Sequence, residues 1–293
     1  MSQVTASVAL SSESMRFDIV TIFPNFFAGP LDHGILSRAI ATGAVAVATH
    51  DLRAFTHDRH RTVDDRPFGG GEGMVLKAQP IFACVESLGA SGPAIAAKPD
   101  RDLSRQSVIL LSAQGRRFTQ ATAHRLAALD RVVLICGRYE GVDERVNHLL
   151  ADQELSIGDY VLSGGELAAA VVIDAVVRLL PGVLGHADSN RYESFGIGDD
   201  PTDSLTPDGV PRSTHGAGGL LDYPHYTRPA EFRGVCIPQI LGGGDHSAIR
   251  RWRRQQALAK TLRNRPDLLA NASLSEEDSQ YLAALEGAEQ TEQ

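Results

Sequence analysis

The stretch of residues 131–167 constrains the fold of this chain more than any other. It contains two short apolar strands that each run directly into a glycine-rich turn, first GRYEG after residues 132–136 and then GDYVLSGGEL after residues 154–157. Two successive strands that end in glycines beside polar and aromatic side chains are typical of the rim of an open α/β sheet, where ligands usually bind. The glycines would let backbone groups approach a ligand without an intervening Cβ atom. The alternative is a pair of ordinary tight turns.

Strands and helices alternate along most of the chain. Apolar patterning predicts further strands at residues 17–23, 44–49 and 107–111, and helices at residues 31–41, 80–88, 120–129 and 166–180. A polar turn is predicted at residues 112–118, and a mobile surface insertion at residues 89–106. Repeated strand-turn-helix units favour an α/β fold with a mostly parallel sheet.

Composition limits the class of protein. A chain of 293 residues is long enough for two domains. A net charge of −8 and a pI near 5.7 argue against a protein that coats nucleic acid by bulk charge, although a local basic surface fits both values. Three cysteines without C-x-x-C spacing make a reducing cytosol the default. Residues 1–16 are predicted to form a disordered tail without signal-peptide features. Asp174 and Arg178 interrupt the apolar run at residues 167–184, which argues against a membrane span.

A charged loop is predicted at residues 56–73, where apolar periodicity is absent. Within and just before it, arginines alternate with aspartates beside two histidines, and such arginines suit phosphates and base edges. The alternative is a solvated, self-neutralising charge run. The GGGEG segment lacks both the Walker spacing and a G-x-G-x-x-G pattern, which weakens a nucleotide-binding or phosphate-transfer interpretation.

The chain changes character after the predicted helix at residues 166–180. Residues 186–222 are rich in Gly, Asp, Ser and Pro and are predicted to be a flexible interdomain linker. A helix capped by Asp245 should then run to about Asn264. It carries a set of cations that suits RNA phosphates: Arg250, Arg251, Arg253, Arg254, Lys260, Arg263 and Arg265. The alternative is a solvated face balanced by the acidic residues Glu276, Glu277 and Asp278.

Five segments together resemble one enzyme family. They are AFTHDRHRTVDDRPFGGGEGM, CGRYEGVDER, SIGDYVLSGGEL, GLLDYPHYTRP and IRRWRRQQAL, in this order along the chain. The resemblance as a whole extends over residues 17–269. The chain resembles the bacterial tRNA (guanine-37-N1)-methyltransferases of the SPOUT class. The resemblance implies a knotted α/β domain at residues 17–185, a deep trefoil knot in its mostly parallel sheet, a linker at 186–222, a small helical tRNA-binding domain at 223–293, and a cytoplasmic homodimer.

The resemblance also implies where substrates bind. Family members hold S-adenosylmethionine in a bent shape between three loops, which here are residues 110–115, 137–141 and 157–165. The implied donor-binding residues are Leu110, Leu111, Ser112, Gln114, Gly137, Tyr139, Gly141, Ile157, Gly158, Asp159, Tyr160, Val161, Leu162, Gly164 and Gly165. Those expected to contact the guanine and its neighbours in tRNA are Arg59, His60, Arg61, Asp64 and Glu140. From the predicted basic helix, Arg250, Arg253 and Arg254 are expected to bind tRNA.

The implied reaction is methyl transfer to N1 of guanosine 37, which needs a base because that nitrogen carries a proton. The family places an aspartate in an E-D-S-F-like segment, where this chain has Glu193 in YESF. Glu193 is therefore the expected base and Arg178 an arginine that orients the donor or the carboxylate. Alternative bases are Asp199, Asp200 and Asp203, and the alternative role of Arg178 is a pair with Asp174.

Two other functions fit the same sequence features. The first is a SPOUT-type enzyme that methylates ribosomal RNA or a ribose hydroxyl, and the second is an RNA-binding protein without catalytic activity. Partners are expected to be tRNA and a second copy of the chain, with neither DNA nor a membrane. The residues carry no metal-site signature and nothing that decides for or against a magnesium ion.

Overall fold

The computed structural model describes residues 14–91, 97–185, 190, 193–196 and 218–291. The chain divides into two compact units, residues 1–185 and residues 186–293. The first thirteen residues of the predicted tail lie outside the described residues. The first strand begins at Met15, two residues earlier than the sequence pattern indicates.

A parallel sheet forms the centre of the first unit. The strands of this unit are β1 (Met15–Thr21), β2 (Val45–Asp51), β3 (Asp64–Asp65), β4 (Val75–Leu76), β5 (Gln106–Arg117), β6 (Arg131–Cys136) and β7 (Gln153–Ser156). Five of them form one sheet in the order β2-β1-β6-β5-β7. Every neighbouring pair in this sheet is parallel. The prediction of an α/β fold with a mostly parallel sheet is confirmed.

The sheet is covered by helices on both faces. The helices of the first unit are α1 (Ala28–Leu31), α2 (Gly34–Ala41), α3 (Ala78–Ser87), α4 (Gln120–Ala127), α5 (Glu144–Leu149) and α6 (Glu166–Val177). Successive residues of β6 face opposite ways: Leu134 packs into the core formed with α2, α4 and α6, whereas Ile135 packs into the core formed with α3 and α5. All six residues of β6 are buried, as expected for a central parallel strand that is apolar on both faces.

Strand β5 extends beyond the predicted boundary. It continues to Arg117 through residues 112–117, which the sequence pattern assigned to a polar turn. Its pairing with β7 shifts register there, so that Leu155 is aligned with both Leu111 and Arg116. An irregularity of this kind bends a strand and redirects its side chains. The prediction of a simple turn after residue 111 was therefore wrong, because pairing with a distant strand overrides the local turn chemistry.

Two other predicted loops are more ordered than expected. In the predicted charged loop, Asp64 belongs to β3, which pairs antiparallel with β4. In the predicted insertion at residues 89–106, Arg101 is buried, pairs with Asp152 and donates a hydrogen bond to the Leu150 carbonyl oxygen at 2.9 Å. The later part of this insertion is thus anchored to the start of β7, and the prediction of a mobile surface segment was wrong for it. Residues 92–96 lie outside the described residues.

The second unit has its own small core. Its described elements are β8 (Glu231–Phe232), β9 (Val235–Cys236), α7 (His246–Asn264) and α8 (Glu276–Thr291). Leu220, Leu258 and Leu282 form its buried centre. The carboxylate of Asp245 accepts hydrogen bonds from the N–H groups of Ser247 and Ala248 and so caps α7, as the sequence predicts. Among the described residues, no helix combines the length and apolarity that a membrane crossing requires.

Candidate active site

A cavity of about 380 Å³ lies at the carboxyl ends of β5, β6 and β7. We call it the strand-end cavity; its lining comes from residues 110–114, 137–142 and 154–165, apart from Asp159, together with Glu144 and Ala168. Ligands of open parallel sheets bind at this edge, and the volume falls in the usual range for small-molecule sites. The two glycine-rich turns that follow β6 and β7 therefore meet around one hollow, joined by the irregular end of β5.

The strand-end cavity brings together nearly all the residues expected to bind the methyl donor. Of that set only Asp159 does not line it. The Asp159 carboxylate is 84% exposed and accepts a hydrogen bond from Arg117 at 2.6 Å. Ala113, Arg138 and Ser163 also line it and lie within the three expected loops, although they were not named singly. The lining residues outside those loops, which sequence reasoning missed, are Val142, Glu144, Glu154, Leu155, Ser156 and Ala168.

Several glycines of the rim make room for the protein itself. A Cβ atom on Gly164 would lie 2.1 Å from Nε of Arg138, and one on Gly165 would lie 2.7 Å from the Cα atom of Cys136. A Cβ atom on Gly115 would lie 2.5 Å from backbone atoms of residues 154–155. At Gly164 and Gly165 of the second predicted turn, and at Gly115 near the end of β5, the absence of a side chain thus also leaves room for the protein's own atoms. Their missing side chains allow the strand-end segments to pack against one another.

A buried carboxylate connects these segments. Glu166, the first residue of α6, is 1% exposed and accepts hydrogen bonds from the Thr21 hydroxyl at 2.7 Å and from Nε of Arg138 at 3.0 Å. The Arg138 guanidinium also donates to the carbonyl oxygen of Ser163 at 3.0 Å and lies 4.5 Å from the centre of the Phe23 ring. Neither Arg138 nor Glu166 was singled out from the sequence. The sequence signal that could have indicated them is their opposite charge beside a glycine: Arg138 follows Gly137 at the end of β6, and Glu166 follows Gly165 at the start of α6.

The charges around the strand-end cavity are mainly negative. Glu140, Glu144 and Glu154 line it, and the one arginine in its lining, Arg138, is ion-paired with Glu166 at 2.9 Å. Such a cavity favours a ligand that carries a positive charge.

Glu140 connects the strand-end cavity with the predicted charged loop. Its N–H group donates to the Met74 carbonyl oxygen at 3.0 Å, and its side chain fills the space beside Gly73, where a Cβ atom would lie 2.5 Å away. In that loop Arg59, His60 and Arg61 are exposed, and Asp64 is half-buried in β3. The charged loop, which carries side chains expected to contact RNA, therefore contacts Glu140, a residue that lines the strand-end cavity.

The two residues expected to act in catalysis belong to different units. Arg178 follows α6 in the first unit. Glu193 belongs to the second, where its segment is attached to residues 219–222: the N–H of Phe195 donates to the Leu220 carbonyl oxygen at 2.8 Å, and the N–H of Asp222 donates to the Ser194 hydroxyl at 2.9 Å. The alternative bases Asp199, Asp200 and Asp203 lie outside the described residues.

Helix α7 uses part of its positive charge within the protein. Arg254 forms an ion pair with Asp278, and Arg251 forms one with Glu277. For these two arginines the alternative interpretation, a helix face balanced by the acidic C-terminal residues, matches the contacts. The guanidinium of Arg253 lies 4.9 Å from the centre of the Tyr223 ring, and Arg250 donates to the Ser247 hydroxyl at 3.3 Å.

Metal ligands do not cluster in the part of the chain that the structure describes. There, no group of three or more His, Cys, Asp or Glu side chains is arranged to hold a metal ion.

The parallel sheet and its strand-end cavity define the class of the first unit as an α/β domain with a ligand-sized cavity at the carboxyl ends of its strands. Over residues 15–271 the chain matches the family model described as tRNA (Guanine-1)-methyltransferase TrmD. The chain belongs to this family, which confirms the resemblance found in the sequence.

Curated relatives support the assignment. A protein of Koribacter versatilis named tRNA (guanine-N(1)-)-methyltransferase is 59% identical over 272 residues, which are 92% of this chain and 98% of the relative. A protein of the same name from Geobacter sulfurreducens is 48% identical over 93% of this chain and 98% of its own length. Another from Moorella thermoacetica is 48% identical over 92% and 95%.

Proposed function

We propose that the protein transfers a methyl group from S-adenosylmethionine to N1 of guanosine 37 in tRNA. The names of its relatives specify guanine N1 in tRNA, and the family match covers almost the whole chain. The observation that carries the proposal is the strand-end cavity. It lies at the ligand-binding edge of the parallel sheet, between the end of β5 and the segments that follow β6 and β7.

The lining of the strand-end cavity fits this methyl donor. Leu111, Ile157 and Leu162 supply apolar surface, and the adjoining glycine-rich segments supply backbone N–H and C=O groups that suit an adenine edge. The three lining glutamates suit the positive sulfonium. When bound, S-adenosylmethionine supplies an electrophilic methyl carbon, so the remaining task of the protein is to position the acceptor and remove its proton.

Glu193 is the proposed general base. A carboxylate within hydrogen-bonding reach of guanine N1 can accept its proton as the nitrogen becomes nucleophilic. Asp199, Asp200 and Asp203 are the alternative bases, since they follow Glu193 closely in the chain. Arg178 would orient the carboxylate or the donor. If the segment around Glu193 takes its working position only with tRNA, proton removal is coupled to binding of the correct substrate.

The proposed tRNA contacts come from both units. Arg59, His60, Arg61, Asp64 and Glu140 would contact the guanine and its neighbours, and the cations of α7 would contact phosphates. Arg250 and Arg253 remain candidates, whereas the ion pair with Asp278 makes Arg254 a weaker one. A tRNA substrate also places the protein in the cytoplasm in this proposal.

A homodimer with a deep trefoil knot in each subunit completes the proposal. Leu167 and Val171 are 51% and 47% exposed and lie one helical turn apart on α6, in which seven of the twelve residues are buried. Val161, in the segment just before that helix, is 87% exposed. Apolar side chains grouped in this way mark a surface that a second copy of the chain would cover.

Methylation of an unmodified transcript tests the function directly. Purified protein, radiolabelled S-adenosylmethionine and a tRNA transcript with guanosines at positions 36 and 37 should give 1-methylguanosine on nucleoside analysis. A transcript with adenosine at position 37 is the matched control and should remain unlabelled. Label in a ribose, in ribosomal RNA only, or in no RNA at all would refute the proposal, and the last result would favour an RNA-binding protein without catalytic activity.

A further inference from the structure

We infer that Arg138 and Glu166 are positioning residues for the methyl donor, because they hold the two glycine-rich segments of the strand-end cavity in a binding shape. The inference rests on the proposed function. It concerns an ion pair that takes no part in the reaction itself. Glu166, at the start of α6, accepts hydrogen bonds from Arg138 and from Thr21 at the end of β1.

The ion pair is fully engaged on the carboxylate side. One oxygen of Glu166 accepts from the Thr21 hydroxyl at 2.7 Å, and the other accepts from Arg138 at 3.0 Å from Nε and 2.9 Å from Nη2. The Glu166 side chain is 2% exposed and that of Arg138 is 21% exposed. A buried carboxylate requires such partners, because an unpaired charge in the protein interior is very unfavourable. Its place in the first turn of α6 adds a favourable interaction with the helix dipole.

The same arginine joins the two cavity segments to each other. Its Nη1 donates to the Ser163 carbonyl oxygen, and its backbone forms an antiparallel bridge with Gly164. Beside this bridge the N–H of Gly165 donates to the Gly137 carbonyl oxygen at 2.9 Å. Residues 137–139 and 163–165 are therefore connected by backbone and side-chain contacts that converge on Arg138. All of these residues line the strand-end cavity.

Gly164 leaves room for the Arg138 side chain beside the ion pair. The Arg138 side chain occupies the space beside Gly164, where an added Cβ atom would lie 2.1 Å from the Arg138 Nε atom. Loss of the ion pair would free residues 157–165 to move away from residues 137–141. Small displacements of groups that position a substrate weaken binding strongly, so the donor affinity should depend on this pair.

A second buried ion pair in the same unit provides a matched control. The side chains of Arg101 and Asp152 are 0% and 3% exposed, and the Arg101 guanidinium donates to Asp152 and to the Leu150 carbonyl oxygen. Neither Arg101 nor Asp152 lines the strand-end cavity. Replacing Arg101 should thus affect the stability of the first unit in the same way as replacing Arg138, but should leave the donor site intact.

Isothermal titration with S-adenosylmethionine tests the inference on Arg138→Lys, Glu166→Gln and Arg101→Lys. The first two variants should bind the donor about tenfold or more weakly, whereas Arg101→Lys should bind within about twofold of wild type. In the transfer assay Arg138→Lys should raise KM for the donor while kcat at saturating donor changes by less than about threefold. The double variant should be no weaker than the weaker single variant, because both changes break one interaction.

Three results would overturn the inference. They are donor affinity within about twofold of wild type in Arg138→Lys, an equal weakening in Arg101→Lys, and additive losses in the double variant. If Arg138→Lys does not fold, the nearly isosteric Thr21→Val removes one hydrogen bond to Glu166 and should still weaken donor binding; unchanged affinity there would also overturn it. If wild-type protein itself gives no heat with S-adenosylmethionine, the proposed function fails, and this inference fails with it.

Discussion

Arg254 holds Asp278 by two hydrogen bonds, from Nε at 3.1 Å and from Nη2 at 2.9 Å, and so joins α7 to α8. The two side chains are only 15% and 8% exposed. Asp278 also accepts a hydrogen bond from the N–H of Ser275 at 3.0 Å, just before α8 begins. A cation that the sequence offers for RNA binding therefore stabilises the second unit. A charge reversal at Arg254 would disturb the folding of the second unit, so a loss of tRNA affinity in that variant would not measure phosphate binding.

Replacing Asp278 by asparagine should destabilise the second unit by about 1–3 kcal/mol at pH 7, because the largely buried Arg254 loses its counter-charge. The exposed pair of Arg251 and Glu277 gives the control, and Glu277→Gln should change stability by less than about 0.5 kcal/mol. Chemical denaturation of both variants measures the difference. Equal effects of the two substitutions would show that the buried pair has no special weight.

The same pair predicts how stability depends on pH. Burial alone would raise the pKa of Asp278, but the hydrogen bonds from Arg254 and from the Ser275 backbone outweigh it and leave the pKa below its ordinary value of 3.8. A depressed pKa in the folded state contributes stability above the unfolded value and loses it as pH falls through the folded value. The gap between wild type and Asp278→Asn should thus be full at pH 7 and should shrink below about pH 4. A gap that stayed constant down to pH 2 would contradict the assignment.

Binding of tRNA should depend on the remaining cations of α7. The double variant Arg250→Gln, Arg253→Gln leaves the Arg254–Asp278 pair intact and should lower tRNA affinity. The slope of log affinity against log salt should decrease by roughly 0.7–0.9 for each phosphate that the variant no longer neutralises. Arg265→Gln is the control, because that arginine is ion-paired with Asp267 at 2.7 Å just after the helix. Filter binding over a salt series measures this slope. An unchanged slope in the double variant would exclude phosphate binding by Arg250 and Arg253.

Alanine substitutions should separate glycines that pack against backbone from those that do not. A Cβ atom on Gly115 would collide at 2.5 Å with the backbone of residues 154–155, which cannot rotate away, so Gly115→Ala should destabilise the first unit by about 3 kcal/mol or more. Gly29 has no atom within 4 Å of its Cβ position and lies in α1, so Gly29→Ala should be neutral or slightly stabilising. Thermal unfolding of the two variants provides the comparison. Similar melting temperatures would show that the end of β5 is less tightly packed than the distances indicate.

The features that the sequence revealed are those encoded locally. Asp245 could be recognised as a helix cap because its hydrogen-bond partners, Ser247 and Ala248, lie two and three residues further along the chain. The extension of β5 to Arg117 depends on pairing with β7 about forty residues later, and residues 112–115 have the local chemistry of a turn. The role of Gly164 depends on where Arg138 folds, and that of Arg254 depends on Asp278 in another helix. Such contacts join residues far apart in the sequence, and no periodicity in the chain indicates them.

Glu193→Gln tests the proposed base. The amide keeps the size of the side chain but cannot accept the proton of guanine N1, so methyl transfer should fall by about 10²–10⁴-fold while S-adenosylmethionine binding is unchanged. Glu193→Asp, which keeps a carboxylate on a side chain shorter by one methylene, should retain measurable transfer. Glu231→Gln, at an exposed position of β8, is the control and should transfer normally. Single-turnover assays with enzyme and donor in excess over tRNA measure the chemical step. Near-normal transfer by Glu193→Gln would move the role of base to Asp199, Asp200 or Asp203, whose asparagine variants should then show the same loss.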